Sequence, residues 1–247
     1  MLNVFIETSG KAHPSDKGPY VVIAAMIQSE NLEKLKFGIQ ELKLLSFGSY
    51  GAGSRLKTND IVHGNGIFRN ITMEKRSELL DRMIKILEMS EAQIVFSVIN
   101  SKTTTNRSPE YITLGFEEKA LHELILRVYL ASRRFSDSDI RFILDSPQWN
   151  HDSHLSEGVR KLIFDLFKQM QPLGLINYKD VPPPIFSNST VEPFIEIANL
   201  IAYLVRNNYY KTKRQYSYSF IKYYRAVQSK IYNGFDDGDP RAGIFEL

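Results

Sequence analysis

The chain contains no cysteine. Disulfide scaffolds, thiolate zinc sites and cysteine nucleophiles are thereby excluded, and the absence fits an intracellular protein. No apolar run approaches the roughly 18 residues that a membrane-crossing helix needs, so no membrane partner is expected. The opening Met1-Leu2-Asn3-Val4-Phe5-Ile6 has neither a basic lead nor a small-residue cleavage pattern. It reads as a strand rather than a signal peptide, and a cytoplasmic location is expected. Internal repeats and low-complexity tracts are lacking. Gly64-Asn65-Gly66 is not followed by Gly-Lys-Ser/Thr, which removes the phosphate-loop reading. The serines have no nucleophile-elbow context, so serine hydrolase chemistry is without support.

What remains is ordinary for a globular protein: 43% hydrophobic and 24% charged residues in a chain of 247. That length buries a substantial core. The net charge of +3 permits phosphate contacts without requiring them.

Period and punctuation predict an alternating α/β order. Residues 2–7 and 20–28 are β-rich apolar runs that read as a hairpin. Leu32, Leu35, Ile39, Leu42 and Leu45 then recur at helical spacing after Ser29 and Asn31. The stretch 47–70, with Gly48, Gly51, Gly53, Gly64 and Gly66, reads as loop. A helix is predicted over 72–89 with Thr72 as N-cap and Leu79, Leu80, Met83, Ile84 and Leu87 inward. Strands follow at 93–99 and 139–145, separated by an exposed loop at 100–108 and a long helix at about 109–135. A helix at about 156–170, a short strand near 174–178, a helix at about 191–208 and one more within 209–232 complete the pattern. The fold class expected is a mixed β-sheet flanked by helices, with a helical insertion at about 30–90 between the second and third strands. Pro182-Pro183-Pro184 is a candidate rigid linker too short to divide the chain, so 1–247 is read as one domain with a C-terminal helical segment at about 209–232.

Two acids stand where apolar strands end. Glu7 precedes Thr8-Ser9-Gly10, and Asp145 follows Ile143-Leu144. On adjacent strands they would face one another, and a hard divalent cation such as Mg²⁺ or Mn²⁺ would relieve their repulsion. The competing reading is that each acid merely ends a strand or caps a turn.

Ile6-Glu7-Thr8-Ser9-Gly10 followed by Tyr20–Ile27 resembles the opening of the domain-of-unknown-function 3800 family, which typically has Ile-Asp-Glu-Ser-Gly and a second apolar strand. Ile143-Leu144-Asp145 is similar to that family's central strand and its acid. The run Ile195-Glu196-Ile197-Ala198-Asn199-Leu200-Ile201-Ala202-Tyr203 is similar to its Gln-x-Ala-Asp-Leu-x-Ala-Tyr helix, and Asp60-Ile61-Val62-His63-Gly64 loosely resembles its Glu-x-His-Gly loop. The matches run in order from residue 4 to 206. The resemblance implies a ribonuclease H-like fold, one or two Mg²⁺ or Mn²⁺ ions held by carboxylates, and phosphodiester hydrolysis on nucleic acid. Carried over position by position, the ligands would be Glu7, Asp145 and Asn199.

The chain departs from that pattern at the acids. Glu7 replaces aspartate, Thr8 replaces the second acid of the opening motif, and Asn199 replaces the helix aspartate. Glu196 stands where glutamine is usual, three residues before Asn199 and so on the same helix face. It either restores the missing charge or lies on the solvated surface.

Other polar residues carry weaker expectations. His63 is a candidate general acid or proton shuttle beside Gly64. Glu117 and Glu118 either add an acid or line a solvated helix face. His151, Asp152 and His154 either bind a transition metal or form a polar loop. The aromatic and basic interleaving from Tyr209 to Tyr216, continued by Lys222-Tyr223-Tyr224-Arg225, suits stacking on single-stranded nucleic acid, or equally an amphipathic helix with snorkelling lysines. Three functions are therefore expected to compete. They are a Mg²⁺- or Mn²⁺-dependent nuclease or related phosphodiester hydrolase, a catalytically weakened protein that binds nucleic acid or a protein partner, and an effector acting on a small nucleotide.

Overall fold

The computed structural model describes residues 1–10, 18–48, 52–99, 109–132, 135, 139–145, 161, 165, 184–210, 218–234 and 243–246. Strands β1 (Leu2–Ser9) and β2 (Tyr20–Gln28) are antiparallel, as the paired apolar runs predict. Then come α1 (Ser29–Phe47), α2 (Thr58–His63), α3 (Met73–Met89), β3 (Gln93–Ile99), α4 (Pro109–Ser132) and β4 (Ile140–Asp145). Next are β5 (Ile185–Ser187), α5 (Phe194–Tyr209), α6 (Tyr218–Gln228) and β6 (Ile244–Glu246). The sheet order is β5-β4-β1-β2-β3-β6, with β4 parallel to β1, β5 parallel to β4 and β6 parallel to β3.

Strand β1 lies at the centre, and its residues from Leu2 to Thr8 are all buried. Such a strand reads as a continuous apolar run because helices cover both faces. Phe5, Ile23, Ala25, Phe96 and Ile143 pack against the insertion helices, α5 and α6 on one face. Val4, Ile6, Val22, Ala24 and Leu144 pack with the Ala120–Ala131 part of α4 on the other. Gly10 closes β1 with φ +96°, and a Cβ there would stand 2.6 Å from the Pro19 carbonyl oxygen. Only glycine takes that turn without strain.

The helical insertion between β2 and β3 is as expected, with differences of detail. Thr72 caps α3, its hydroxyl accepting the Lys75 N–H at 3.4 Å. In α1, however, Leu45 is 67% exposed and Lys43 is buried. Successive i+3 steps each fall about 60° short of a full turn, so Leu45 has drifted off the stripe that Leu32 begins, and Lys43 lies nearer its centre. The stretch 47–70 is not all loop: it holds α2 and two short 3₁₀ turns, pinned by buried Leu56, Ile61 and Phe68. A six-residue helix is too brief to show its period among five glycines. The edge strands β5 and β6, three residues each, escaped notice for the same reason. The loop at 100–108 and the strand near 174–178 lie outside the described residues, as does all but residues 161 and 165 of the helix at about 156–170. Among the described residues no helix is long and apolar enough to cross a membrane.

Candidate metal centre

The parallel pairing of β1 with β4 runs from Leu2 opposite Ile140 to Ile6 opposite Leu144. Glu7 and Asp145 are the next rung. Alternation along each strand puts them on the face of Phe5 and Ile143, beneath the insertion and α5. Neighbouring strands lie about 4.8 Å apart, so the two carboxylates leave the sheet side by side.

Both are withdrawn from water, at 1% exposure for Glu7 and 2% for Asp145. Glu7 Oε2 accepts the N–H of Thr8 at 3.2 Å, while Oε1 has no hydrogen-bond partner. Burial, and then the charge of Asp145, hold the Glu7 carboxyl well above its ordinary range; Arg55, the Thr8 amide and Lys57 only partly offset them. Asp145 Oδ2 is paired with the Arg55 guanidinium, and its Oδ1 has no partner. Burial raises the Asp145 carboxyl too, against the opposing pull of Arg55 and Lys57.

The segment from Arg55 to Thr58, between the first 3₁₀ turn and α2, lies across this pair. Its side chain at Arg55 reaches Asp145. Its backbone N–H at Leu56 donates to Glu196 Oε1 at 3.2 Å, and that at Thr58 donates to Asn199 Oδ1 at 3.2 Å. Three residues of this four-residue segment thus touch Asp145, Glu196 and Asn199. Lys57 is exposed, yet its charge is felt by both Glu7 and Asp145.

Glu196 is 1% exposed, which removes the solvated-surface alternative. Its Oε1 meets Lys43 Nζ at 2.6 Å, with both side chains 1% exposed. Burial still leaves the Glu196 carboxyl raised, with Lys43 the chief opposing influence. Asn199 is half-buried beside it on α5. His63 ends α2 exposed to solvent, with no hydrogen bond or ion pair to any of these acids. The side chains of Glu117 and Glu118, and residues 151, 152 and 154, lie outside the described residues, as does the stretch 211–217.

Among the described residues no group of three or more histidine, aspartate or glutamate side chains is disposed to hold a metal ion. Of the expected cluster, Glu7 and Asp145 stand side by side, while Glu196 Oε1 and Asn199 Oδ1 accept hydrogen bonds from the Arg55–Thr58 segment and Glu196 Oε2 has no hydrogen-bond partner. The residues that sequence reasoning missed are Lys43, Arg55 and Lys57. A lysine near the centre of an apolar stripe was a visible signal for the first; the other two stood unremarked just before Asp60-Ile61-Val62-His63-Gly64.

No protein-family model matches the chain, so the likeness to the domain-of-unknown-function 3800 family rests on the motifs alone. No curated protein matches it. Among solved structures, the ribonuclease HII of Archaeoglobus fulgidus in its complex with PCNA aligns with a TM-score of 0.41 at 16% identity, covering 85% of this chain and 74% of that one. The ribonuclease H2 of Pyrococcus horikoshii OT3 aligns with a TM-score of 0.42 at 15% identity, over 85% and 74%. In this chain's own sheet, β1, β2 and β3 form an antiparallel meander, and β4 and β5 extend it parallel to β1 on the other side. The fold is α/β, a mixed six-stranded sheet covered by helices on both faces.

Proposed function

We propose that the chain is a divalent-cation-dependent phosphodiester hydrolase acting on nucleic acid, with Glu7 and Asp145 as its cation-binding acids. The observation that carries this reading is one rung of the sheet: two buried carboxylates side by side, each with an oxygen that has no partner. Buried carboxylate oxygens without a donor are costly, and a small hard cation satisfies both at once. Mg²⁺ is commonly held by one or two carboxylates together with substrate phosphates, so two acids suffice. When bound, such a cation supplies Lewis-acid chemistry for phosphodiester hydrolysis. Glu7 and Asp145 hold it; Glu196 and Asn199 act as positioning residues by fixing the Arg55–Thr58 segment over the pair. The net charge of +3 and the motif resemblance agree with a nucleic-acid substrate.

The test is hydrolysis of single-stranded, duplex and hybrid oligonucleotides with Mg²⁺ or Mn²⁺. Glu7→Gln and Asp145→Asn are each expected to lower turnover at least a hundredfold, as loss of a charge-stabilising group at a reacting centre does. Undiminished cleavage by Asp145→Asn sinks the assignment. A second reading, a catalytically weakened protein that binds nucleic acid or a protein partner, is favoured by the internal cations on two of the three acids: Arg55 on Asp145 and Lys43 on Glu196. Oligonucleotide binding with no cleavage of any substrate under either metal selects it.

A further inference from the structure

The cation beside Asp145 sits oddly for a purely structural ion pair. The Arg55 side chain is 28% exposed while that of Asp145 is 3% exposed, so the guanidinium stands at the mouth and the carboxylate behind it. The backbone around Arg55 is held independently of that pair. Leu56 and Thr58 donate their N–H groups to Glu196 and Asn199, and the Leu56 and Thr58 side chains are fully buried. The guanidinium can therefore leave Asp145 without the segment leaving the site. Lys57, next along and exposed, adds a second positive charge at the same opening. Two cations in front of two buried acids is an arrangement that accepts a cation and an anion together.

We propose that Arg55 is the phosphate-binding residue of this site, and that it exchanges partners: Asp145 holds it in the free protein, and a substrate phosphate takes it when a divalent cation occupies the acids. This deepens the hydrolase reading and rests on it. A guanidinium matches a phosphate as well as a carboxylate, each through paired N–H donors. The divalent cation and the phosphate arrive with opposite charges, so each replaces one partner of the resting pair and no buried charge is left alone. Arg55 is then a competitor of the cation when substrate is absent and an ally when substrate is present. Among the described residues Lys57 forms no ion pair, so its charge stands ready for the phosphate without any exchange.

The experiment uses the full chain, with Arg55→Gln and Arg55→Lys beside the unmodified protein, each first checked by its thermal transition. Fluorescence anisotropy of labelled phosphorothioate oligothymidylate and of a phosphorothioate duplex, both resistant to cleavage, is read in EDTA and in Mn²⁺. Binding of Mn²⁺ alone is read by the paramagnetic resonance of the free ion. Arg55→Gln is expected to match the unmodified protein in EDTA, to bind the favoured probe about tenfold more weakly in Mn²⁺, and to bind Mn²⁺ alone more tightly, by about tenfold, a charge-assisted pair having been lost or removed in each case. Arg55→Lys is expected to fall between. An equal loss of probe binding in EDTA and Mn²⁺, or no loss in either, overturns the exchange. If Mn²⁺ binds the variant and the unmodified protein equally, the exchange fails while the cation reading stands. If Mn²⁺ binds neither, both fail.

Discussion

Lys43 on α1 and Glu196 on α5 meet at 2.6 Å with 1% of each side chain exposed, joining the first helix of the insertion to the helix that lies over the acid pair. A buried ion pair of this kind contributes little relative to a well-packed apolar pair, because both charges gave up their hydration. Breaking it from one side is another matter.

Lys43→Met leaves Glu196 buried with its principal counter-charge gone. The expected cost is about 3–5 kcal/mol, measured by urea denaturation. Lys43→Met combined with Glu196→Leu is expected to recover much of that loss, since neither charge of the pair then remains buried, although the Leu56 N–H loses its acceptor. A double variant as unstable as the single one shows that the pair holds the helices together by something other than charge.

The second prediction concerns pH and is made in EDTA. Burial raises the Glu7 carboxyl well above its ordinary value of 4.5. A carboxyl raised on folding takes up protons as the chain folds, so its favourable contribution is full below the ordinary value and is lost as pH rises through the raised one. Asp145 and Glu196 are raised as well and act with the same sign. The thermal midpoint is therefore expected to fall as pH increases above the ordinary carboxyl range. Glu7→Gln should show a shallower fall and a higher midpoint at neutral pH, because a neutral amide is buried in place of a charge. Parallel curves for the two proteins refute this origin of the slope.

Gly10→Ala tests the turn that aims the end of β1. The residue has φ +96°, and the new methyl would meet the Pro19 carbonyl oxygen at 2.6 Å and Arg206 Nε at 2.9 Å. Backbone strain of this kind costs on the order of 1–3 kcal/mol before the steric contact is added. A loss of at least that size is expected in chemical denaturation, and an unchanged midpoint means that the turn has another conformation within easy reach.

Much of this architecture could be read from the residues. The four long strands follow from their apolar runs, and α3 follows from Thr72 and the spacing of Leu79, Leu80, Met83, Ile84 and Leu87. Glu7 and Asp145 were visible because an acid after an apolar strand breaks a local pattern. That they share a rung was not visible, since register between residues 7 and 145 depends on the whole pairing of β1 with β4. Lys43 and Arg55 were missed for a related reason. Their partners, Glu196 and Asp145, are far away in the chain, so that even a lysine set in an apolar stripe does not say which acid it will meet. His63 illustrates the converse: a suggestive motif put it forward, but it ends α2 in solvent, bonded to none of the acids.

The shared rung also says how such a centre is lost. Side chains alternate along a strand, so deleting one residue of β4 ahead of Asp145 would keep the apolar ladder largely intact and turn the carboxylate toward α4. Descendants of this chain can therefore inherit the architecture and forfeit the proposed chemistry in a single step, with every acid still present in the sequence. Whether a relative is competent is a question of counting residues between landmarks, and a tally of preserved aspartates and glutamates would answer it wrongly.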